Sequence, residues 1–313
     1  MPGSPLAAPD EVVDLARRRD AARRDRDYAA ADELRDAISA AGWKVSDSPA
    51  GFVLLPLRPA VEVYPKVAAV PSAAGEPDSC QHSVCIAYHG WPEDVARLVN
   101  GFSAGAPAGS LEVLLGVADG AEDPPPDLLG SAHQSLARQV RAVRVTGAGQ
   151  AQAYNAVVRC ATGRIVHLVE PSLEFGFDVL QVAAASLGDP AVGACGPFGL
   201  DTADWREFQP AAGPQVMALE YLLSLRRADA GRIGEMDPGF RYYRNLDLDF
   251  SRQVAATGME LRTYPAVVQR HLHRLWDSTS AEDRDRLSRR NFNRMLDRWV
   301  RPGVAGSAAP PPA

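Results

Sequence analysis

Between residues 83 and 193 the chain alternates short apolar runs with amphipathic stretches, and no other feature limits its fold so strongly. The runs 84–88, 113–117, 142–145, 165–169 and 191–193 have strand character. The segments 92–102, 132–140, 151–160 and 177–185 between them read as helices. Strands separated by single helices predict βαβ units and a parallel sheet covered on both faces. Sheets of that kind bind ligands at the carboxyl ends of their strands. The polar residues directly after each strand are therefore the candidates for chemistry.

The rest of the 313 residues divides by composition, and the length suits about two domains. Residues 11–40 hold seven arginines against eight acidic residues and neither Gly nor Pro, so one or two amphipathic helices are expected, with Asp10 as N-cap and Gly42 as terminator. Two short β runs, 43–45 and 52–55, flank a turn at Ser46-Asp47-Ser48-Pro49-Ala50-Gly51. The division expected is an appendage over 1–57, a linker over 58–82, a large domain over 83–301 and a disordered tail over 302–313.

Charge and cysteine usage exclude several classes. A net charge of −6 argues against binding nucleic acid by bulk attraction. Only Lys44 and Lys66 are lysines, an arginine excess that composition bias explains. The four cysteines Cys80, Cys85, Cys160 and Cys195 show no metal-ligand spacing and read as buried or free thiols. The first ten residues lack the pattern of a signal peptide, and no apolar stretch approaches the ~20 residues of a membrane span. A soluble, cytoplasmic protein is expected.

Strand ends in this pattern carry Tyr88-His89-Gly90-Trp91, Ala118-Asp119-Gly120 and Glu170-Pro171-Ser172-Leu173-Glu174. Later come Tyr242-Tyr243-Arg244-Asn245-Leu246-Asp247-Leu248-Asp249 and Arg270-His271-Leu272-His273. With Asn155 to Gly163 and Asp237-Pro238-Gly239-Phe240, the order and spacing of these pieces over about 83–276 resemble the family 2 glycosyltransferases. The resemblance implies an α/β, Rossmann-like nucleotide-diphospho-sugar transferase fold of the A type (GT-A), with the N-terminal helices as a small appendage.

It also implies roles. The reaction would move a sugar from a nucleoside diphosphate to an acceptor hydroxyl, with Mn²⁺ or Mg²⁺ as cofactor. Asp119 maps to the carboxylate that contacts the nucleotide, and His89, Asn155 and Arg244 join it as nucleotide-sugar-binding candidates. The metal-holding D-x-D position reads Glu170-Pro171-Ser172, with Glu174 two residues on. His271 or His273 maps to the late metal-ligand histidine. Asp247 maps to the general base, preceded by Leu246 where the family has Glu, and Asp249 is a second catalytic candidate.

Each residue also has a plainer reading. Asp119 suits a turn cap, Glu170 and Glu174 a solvated helix start, and Asp247 and Asp249 an N-terminal cap. Arg289-Arg290-Asn291 reads as a solvated helix face, and Gly147-Ala148-Gly149 lacks the third glycine of a dinucleotide fingerprint. The departure at Glu170-Pro171-Ser172 supports a rival function, a non-catalytic glycosyltransferase-like binding or scaffold protein, with RNA association through the N-terminal module.

Residues 23–51, with Arg23 to Asp36, Gly42-Trp43 and Asp47 to Gly51, resemble the C-terminal end of cysteinyl-tRNA synthetase. The synthetase's nucleotide signatures and zinc cysteines are missing, so aminoacylation is excluded. A module that docks a protein is expected, with tRNA as the other partner class; the near-balanced charge of 11–40 offers little attraction for phosphate.

Overall fold

The alternation resolves into a nine-stranded sheet with helices on both faces. The computed structural model describes residues 8–41, 43–48, 51–56, 61–103, 110–125, 128, 137–176, 178–266 and 268–301. The chain begins with α1 (Asp10–Arg24), α2 (Tyr28–Ala40), β1 (Trp43–Ser48), β2 (Gly51–Pro56) and β3 (Glu62–Tyr64). Next come β4 (Cys80–Tyr88), α3 (Pro92–Ser103), β5 (Leu111–Val117), β6 (Ala137–Val145), α4 (Gln150–Cys160) and β7 (Gly163–Val169). Then follow β8 (Leu173–Phe175), α5 (Val179–Ser186), β9 (Val192–Gly196), β10 (Phe198–Asp201), β11 (Gln209–Pro210), β12 (Gln215–Val216), β13 (Ala218–Glu220) and β14 (Leu222–Arg226). The chain continues through α6 (Leu246–Ala256), β15 (Glu260–Thr263), β16 (Val268–Arg270), α7 (Arg274–Ser278) and α8 (Ala281–Trp299).

The large sheet runs β12-β15-β9-β14-β7-β4-β5-β6-β3. Strands β7, β4, β5, β6 and β3 are mutually parallel, as expected from the helices between them. Strand β14 breaks the pattern by running antiparallel to both β7 and β9.

Alternation along the strands builds two cores. On β4, Cys85 and Ala87 face α4, while Val84, Ile86 and Tyr88 face the α3 side. On β5, Leu114 joins the first core and Val113, Leu115 and Val117 the second. Helix α4 lies very close to the sheet at Gly116, where a Cβ would stand 2.3 Å from the Ala153 carbonyl oxygen. Only glycine permits that approach.

Two expectations need correction. Residues 137–140, read as part of a helix, belong to β6, while 131–136 lie outside the described residues. Arginines at 138, 141 and 144 mimic a helical face by their spacing. In the strand Arg141 is paired by Glu62 at 2.9 and 3.0 Å, and Arg144 by Asp123 at 2.8 Å, so the charges do not prevent sheet formation.

The stretch read as a linker is also largely built into the large domain. Strand β3 pairs with β6 at the sheet edge, Val67 and Val70 enter the α4-side core, and β4 already begins at Cys80. Aperiodic Pro- and Ala-rich chain is held by arginines from elsewhere. Arg159 donates to the Val70 carbonyl at 2.7 Å, and Arg227 to those of Ala73 and Glu76 at 2.6 and 2.7 Å.

At the N-terminus, two helices and an antiparallel hairpin surround a small core of Val12, Ala16, Ile38, Trp43 and Val45. Asp10 is the first helical residue of α1, following Pro9, while Asp27 caps α2 by accepting from Ala30 N at 3.1 Å. Arg19, itself buried, pairs with Asp47 at 2.7 Å. Gly42 and the tail 302–313 lie outside the described residues. Cys85, Cys160 and Cys195 are buried and Cys80 is half-buried, all as free thiols. Among the described residues no helix is long and apolar enough to cross a membrane.

Candidate active site

The parallel strands end on one edge of the sheet, and the candidate residues stand along it. Beyond β4 lies His89, whose imidazole contacts the side-chain oxygen of Gln150, the first residue of α4. Burial lowers the pKa of His89 and favours the neutral ring. Beyond β5 lies Asp119, exposed, followed by Gly120 at φ +79°. Asp119 N donates to the Ala148 carbonyl at 3.0 Å, which ties this turn to the one after β6.

Beyond β7 the backbone of Glu170 donates to the Tyr221 carbonyl at 2.8 Å. The chain then forms β8, which pairs antiparallel with β16. That ribbon carries the late histidines across the site. His271 Nε2 lies 2.7 Å from Glu174 Oε2, and His273 Nε2 lies 2.7 Å from Glu170 Oε1. Arg274 continues the crossing and pairs with Glu93 at 2.5 Å and Asp94 at 3.1 Å, both in the first turn of α3.

The ring of His273 stacks on Tyr243, centroids 3.9 Å apart and planes 3° from parallel. Burial, aided by the neighbouring His89, lowers its pKa to about 3, so the imidazole is neutral at physiological pH. A neutral imidazole can bind a cation. Glu170 Oε1 and His273 Nδ1 are buried without hydrogen-bond partners, so their polar capacity is unspent. The four expected metal ligands sort into two Glu–His pairs. Among the described residues no group of three or more His, Cys, Asp or Glu is gathered for a metal.

Asp247 sits in the first turn of α6, directly after Asn245, which adopts φ +63°. Its carboxylate accepts from Tyr221 N at 3.3 Å and from Leu248 N at 3.0 Å. Burial still raises its pKa, against these donors and the nearby Arg244. Arg244 lies over the Trp276 ring at 5.5 Å. Tyr221 is where the chain leaves the small β11-β10-β13 sheet and enters β14 of the large one. It turns there at φ +64°, a conformation that costs a non-glycine residue about 1–3 kcal/mol.

Two expected site residues have other duties. Asp249 is fully buried, accepting from Arg298 Nη1 at 2.5 Å and from Trp299 Nε1 at 2.7 Å. Both carboxylate oxygens are used to anchor the end of α8. Asn155 clamps the backbone of Met236, donating to its carbonyl at 2.8 Å and accepting from its N–H at 2.9 Å. The same loop returns carbonyls of Phe240 and Arg241 to the N-terminus of α4. Asn291, read as part of a solvated face, is buried and donates to the carbonyls of Tyr242 and Arg244 at 2.8 Å each. It thereby fixes the loop that presents Tyr243, Arg244 and Asp247.

Sequence reasoning missed Glu220, Tyr221 and the stacking role of Tyr243. Glu220 ends β13, and burial together with the adjacent Asp247 pushes its pKa up to about 7. A lone carboxylate at the end of a three-residue strand has no motif to mark it.

No family model matches the chain, and no curated protein does. Solved structures are similar in fold. GalNAc-T7 in complex with UDP, GalNAc and Mn²⁺ aligns over 71% of this chain with a TM-score of 0.53 and 14% identity. The match takes in 49% of that structure, so the chain corresponds to about half its length. Residues 1–349 of TarS from S. aureus align over 73% of this chain and 75% of theirs, with a TM-score of 0.48 and 14% identity. The mannosyltransferase PcManGT from Pyrobaculum calidifontis, in complex with GDP-Man and Mn²⁺, aligns over 78% and 79%, with a TM-score of 0.48 and 17% identity. The order of the sheet, the carboxyl-edge site and the GalNAc-T7 match together give this chain the A-type glycosyltransferase fold.

Proposed function

We propose that this protein is a glycosyltransferase that moves a sugar from a nucleoside-diphosphate donor to an acceptor hydroxyl with the help of a divalent cation. The observation that carries the reading is the convergence, on the edge where such a fold binds ligands, of a polarised carboxylate (Asp247), an arginine (Arg244) and a neutral imidazole against a carboxylate (His273 and Glu170). GalNAc-T7 and PcManGT, which share this type of fold, were each solved with a nucleotide and Mn²⁺.

Asp247 takes the proton of the acceptor hydroxyl. The acceptor oxygen then bonds to the anomeric carbon, and the bond from that carbon to the diphosphate oxygen breaks. Its electron pair leaves with the diphosphate. Arg244 offsets the charge that develops there, and exposed Asp119 meets the nucleoside. His89, held by Gln150, borders the same edge.

Glu170 and His273 suit a Mn²⁺ or Mg²⁺ ion: one supplies a carboxylate oxygen without a hydrogen bond, the other a neutral imidazole. When bound, the ion neutralises charge on the leaving diphosphate. Glu174 and His271, the outer pair, keep the β8–β16 ribbon across the site.

The site belongs to a domain of about 62–301, on a family 2 pattern, in a cytoplasmic protein. The N-terminal module, similar in sequence to the end of cysteinyl-tRNA synthetase, docks a protein; tRNA is the alternative partner. The rival reading, a scaffold without turnover, draws on the absence of a three-residue metal group among the described residues. Donor turnover separates them. Asp247→Asn lowers the rate by roughly 10²–10⁴-fold if Asp247 is the base. Measurable donor hydrolysis that is unchanged in this variant contradicts the assignment.

A further inference from the structure

Three parts of the site meet at Tyr221. Its N–H donates to Asp247 Oδ2 at 3.3 Å, and its carbonyl accepts from Glu170 N at 2.8 Å. Asp247 and the strand end that carries Glu170 are therefore both tied to the backbone of one residue. The torsions of Tyr221 set the angle between these two bonds, and its φ is +64°.

The ring of Tyr221 makes the third connection. The Arg270 guanidinium lies 3.8 Å from the ring centroid, and Phe198 packs edge-on with centroids 5.3 Å apart. Arg270 ends β16 opposite Leu173 of β8, and the next residue, His271, donates its N–H to the Ser172 carbonyl at 2.8 Å. Further along the same chain, His273 Nε2 comes to 2.7 Å from Glu170 Oε1. The contacts close a circuit. It leaves the Glu170 backbone through the Tyr221 carbonyl and ring, passes to Arg270, and returns along the ribbon through His273 to the Glu170 carboxylate. Asp247 is attached to the circuit at the Tyr221 N–H.

A glycine would adopt this turn without strain, whereas tyrosine adopts it at a cost. What tyrosine adds is the ring, and the ring is the part that meets the ribbon. A guanidinium over an aromatic face is held there by the ring quadrupole.

We propose that Tyr221 is a positioning residue for sugar transfer: its backbone fixes Asp247 relative to Glu170, and its ring, gripped by Arg270, keeps His273 at Glu170. This rests on the reading of Asp247 as base and of Glu170 and His273 as cation ligands. The ribbon has a separate fastening through Arg274, which pairs with Glu93 and Asp94. Removal of the ring therefore alters the placement of His273 without releasing the ribbon.

Donor turnover by the full chain, measured against Mn²⁺ concentration, tests this in Tyr221→Gly, Tyr221→Phe and Arg270→Gln. Tyr221→Gly keeps the turn and deletes the ring. Its kcat is expected to fall roughly 10–100-fold and its half-maximal Mn²⁺ concentration to rise, while donor KM at saturating Mn²⁺ changes little. Tyr221→Phe, which keeps the ring, recovers most of the loss. Arg270→Gln, at an exposed position, shows the glycine phenotype in milder form and carries the test if Tyr221→Gly does not fold. Native kcat and Mn²⁺ requirement in both Tyr221→Gly and Arg270→Gln overturn the proposal, and so does a Tyr221→Phe as slow as Tyr221→Gly. A native protein without any donor turnover overturns instead the reading of Asp247 as base. The tie between ring and ribbon is then read from the His273 ring signals in NMR, assigned by their loss in His273→Ala. They are expected to shift in Tyr221→Gly and Arg270→Gln but not in Tyr221→Phe, and signals unmoved in all three overturn the tie.

Discussion

His273 approaches Glu170 to 2.7 Å, yet the contact is not a hydrogen bond: Glu170 Oε1 is left without a partner, and so is the far ring nitrogen of His273. An imidazole lowered to about pKa 3 brings no positive charge to the carboxylate. The pair therefore meets as a carboxylate oxygen and a neutral imidazole, both chemically suited to a cation. Mn²⁺ at 100 times its dissociation constant, with a nucleoside diphosphate present, stabilises the fold by about 2.7 kcal/mol. For a domain of this size that raises the melting temperature by roughly 5–10 °C. His273→Ala is expected to lose the Mn²⁺ increment, and an increment equal to that of the native protein counts against this ligand set.

Asp249 and Asp247 lie two residues apart and are expected to fail differently. Asp249→Ala removes the acceptor shared by the half-buried Arg298 and Trp299, leaving the indole N–H without its partner and the guanidinium with Gln253 alone. A loss of about 3 kcal/mol of stability is expected in urea unfolding, with turnover per folded molecule retained at low temperature. Asp247→Asn should unfold near the native midpoint and lose turnover. An exchange of these two phenotypes would show the roles to be reversed.

Stability is expected to fall on mild acidification because of a histidine pair inside the sheet. His82 Nδ1 meets His167 Nε2 at 3.0 Å, and His167 Nδ1 meets Ser224 Oγ at 2.8 Å. Burial lowers His82 from 6.5 to about 4 and holds His167 well below its ordinary value. Both rings are neutral when folded, whereas the unfolded chain takes up protons below about 6.5. Stability is thus complete above pH 6.5 and is lost progressively as the pH falls toward 4. Urea midpoints measured across that window should decline in the native protein, and less steeply in His82→Gln. Parallel slopes would remove His82 from the explanation.

What the sequence revealed follows its periodicity. Strands β4, β5 and β7 and helices α3 and α4 were legible because apolar runs and helical spacing report burial directly. Strand β6 was partly misread because the spacing of its arginines imitates a helix, and their partners Glu62 and Asp123 are remote in sequence. The Pro- and Ala-rich stretch after residue 58 looked loose for the same reason: Arg159 and Arg227, which hold it, lie far along the chain.

The site divides similarly. His89, Asp119, Glu170, Arg244, Asp247 and His273 are candidates in the sequence because they follow strands or stand in spaced groups. Asn155 and Asp249 were drawn in by the same motifs, although their side chains clamp Met236 and α8. Glu220 was invisible, since a lone carboxylate at the end of the three-residue strand β13 carries no motif.

The central claim is that the carboxyl edge of this sheet binds a nucleotide-sugar donor, and calorimetric titration of the full chain with UDP, GDP, ADP and CDP in the presence of Mn²⁺ tests it most directly. One of these is predicted to bind with 1:1 stoichiometry and to depend on Mn²⁺. Asp119→Ala should weaken it by roughly 10–100-fold through loss of a hydrogen bond to a charged group. Absence of saturable binding for all four, with Mn²⁺ present and the protein folded, would contradict the account.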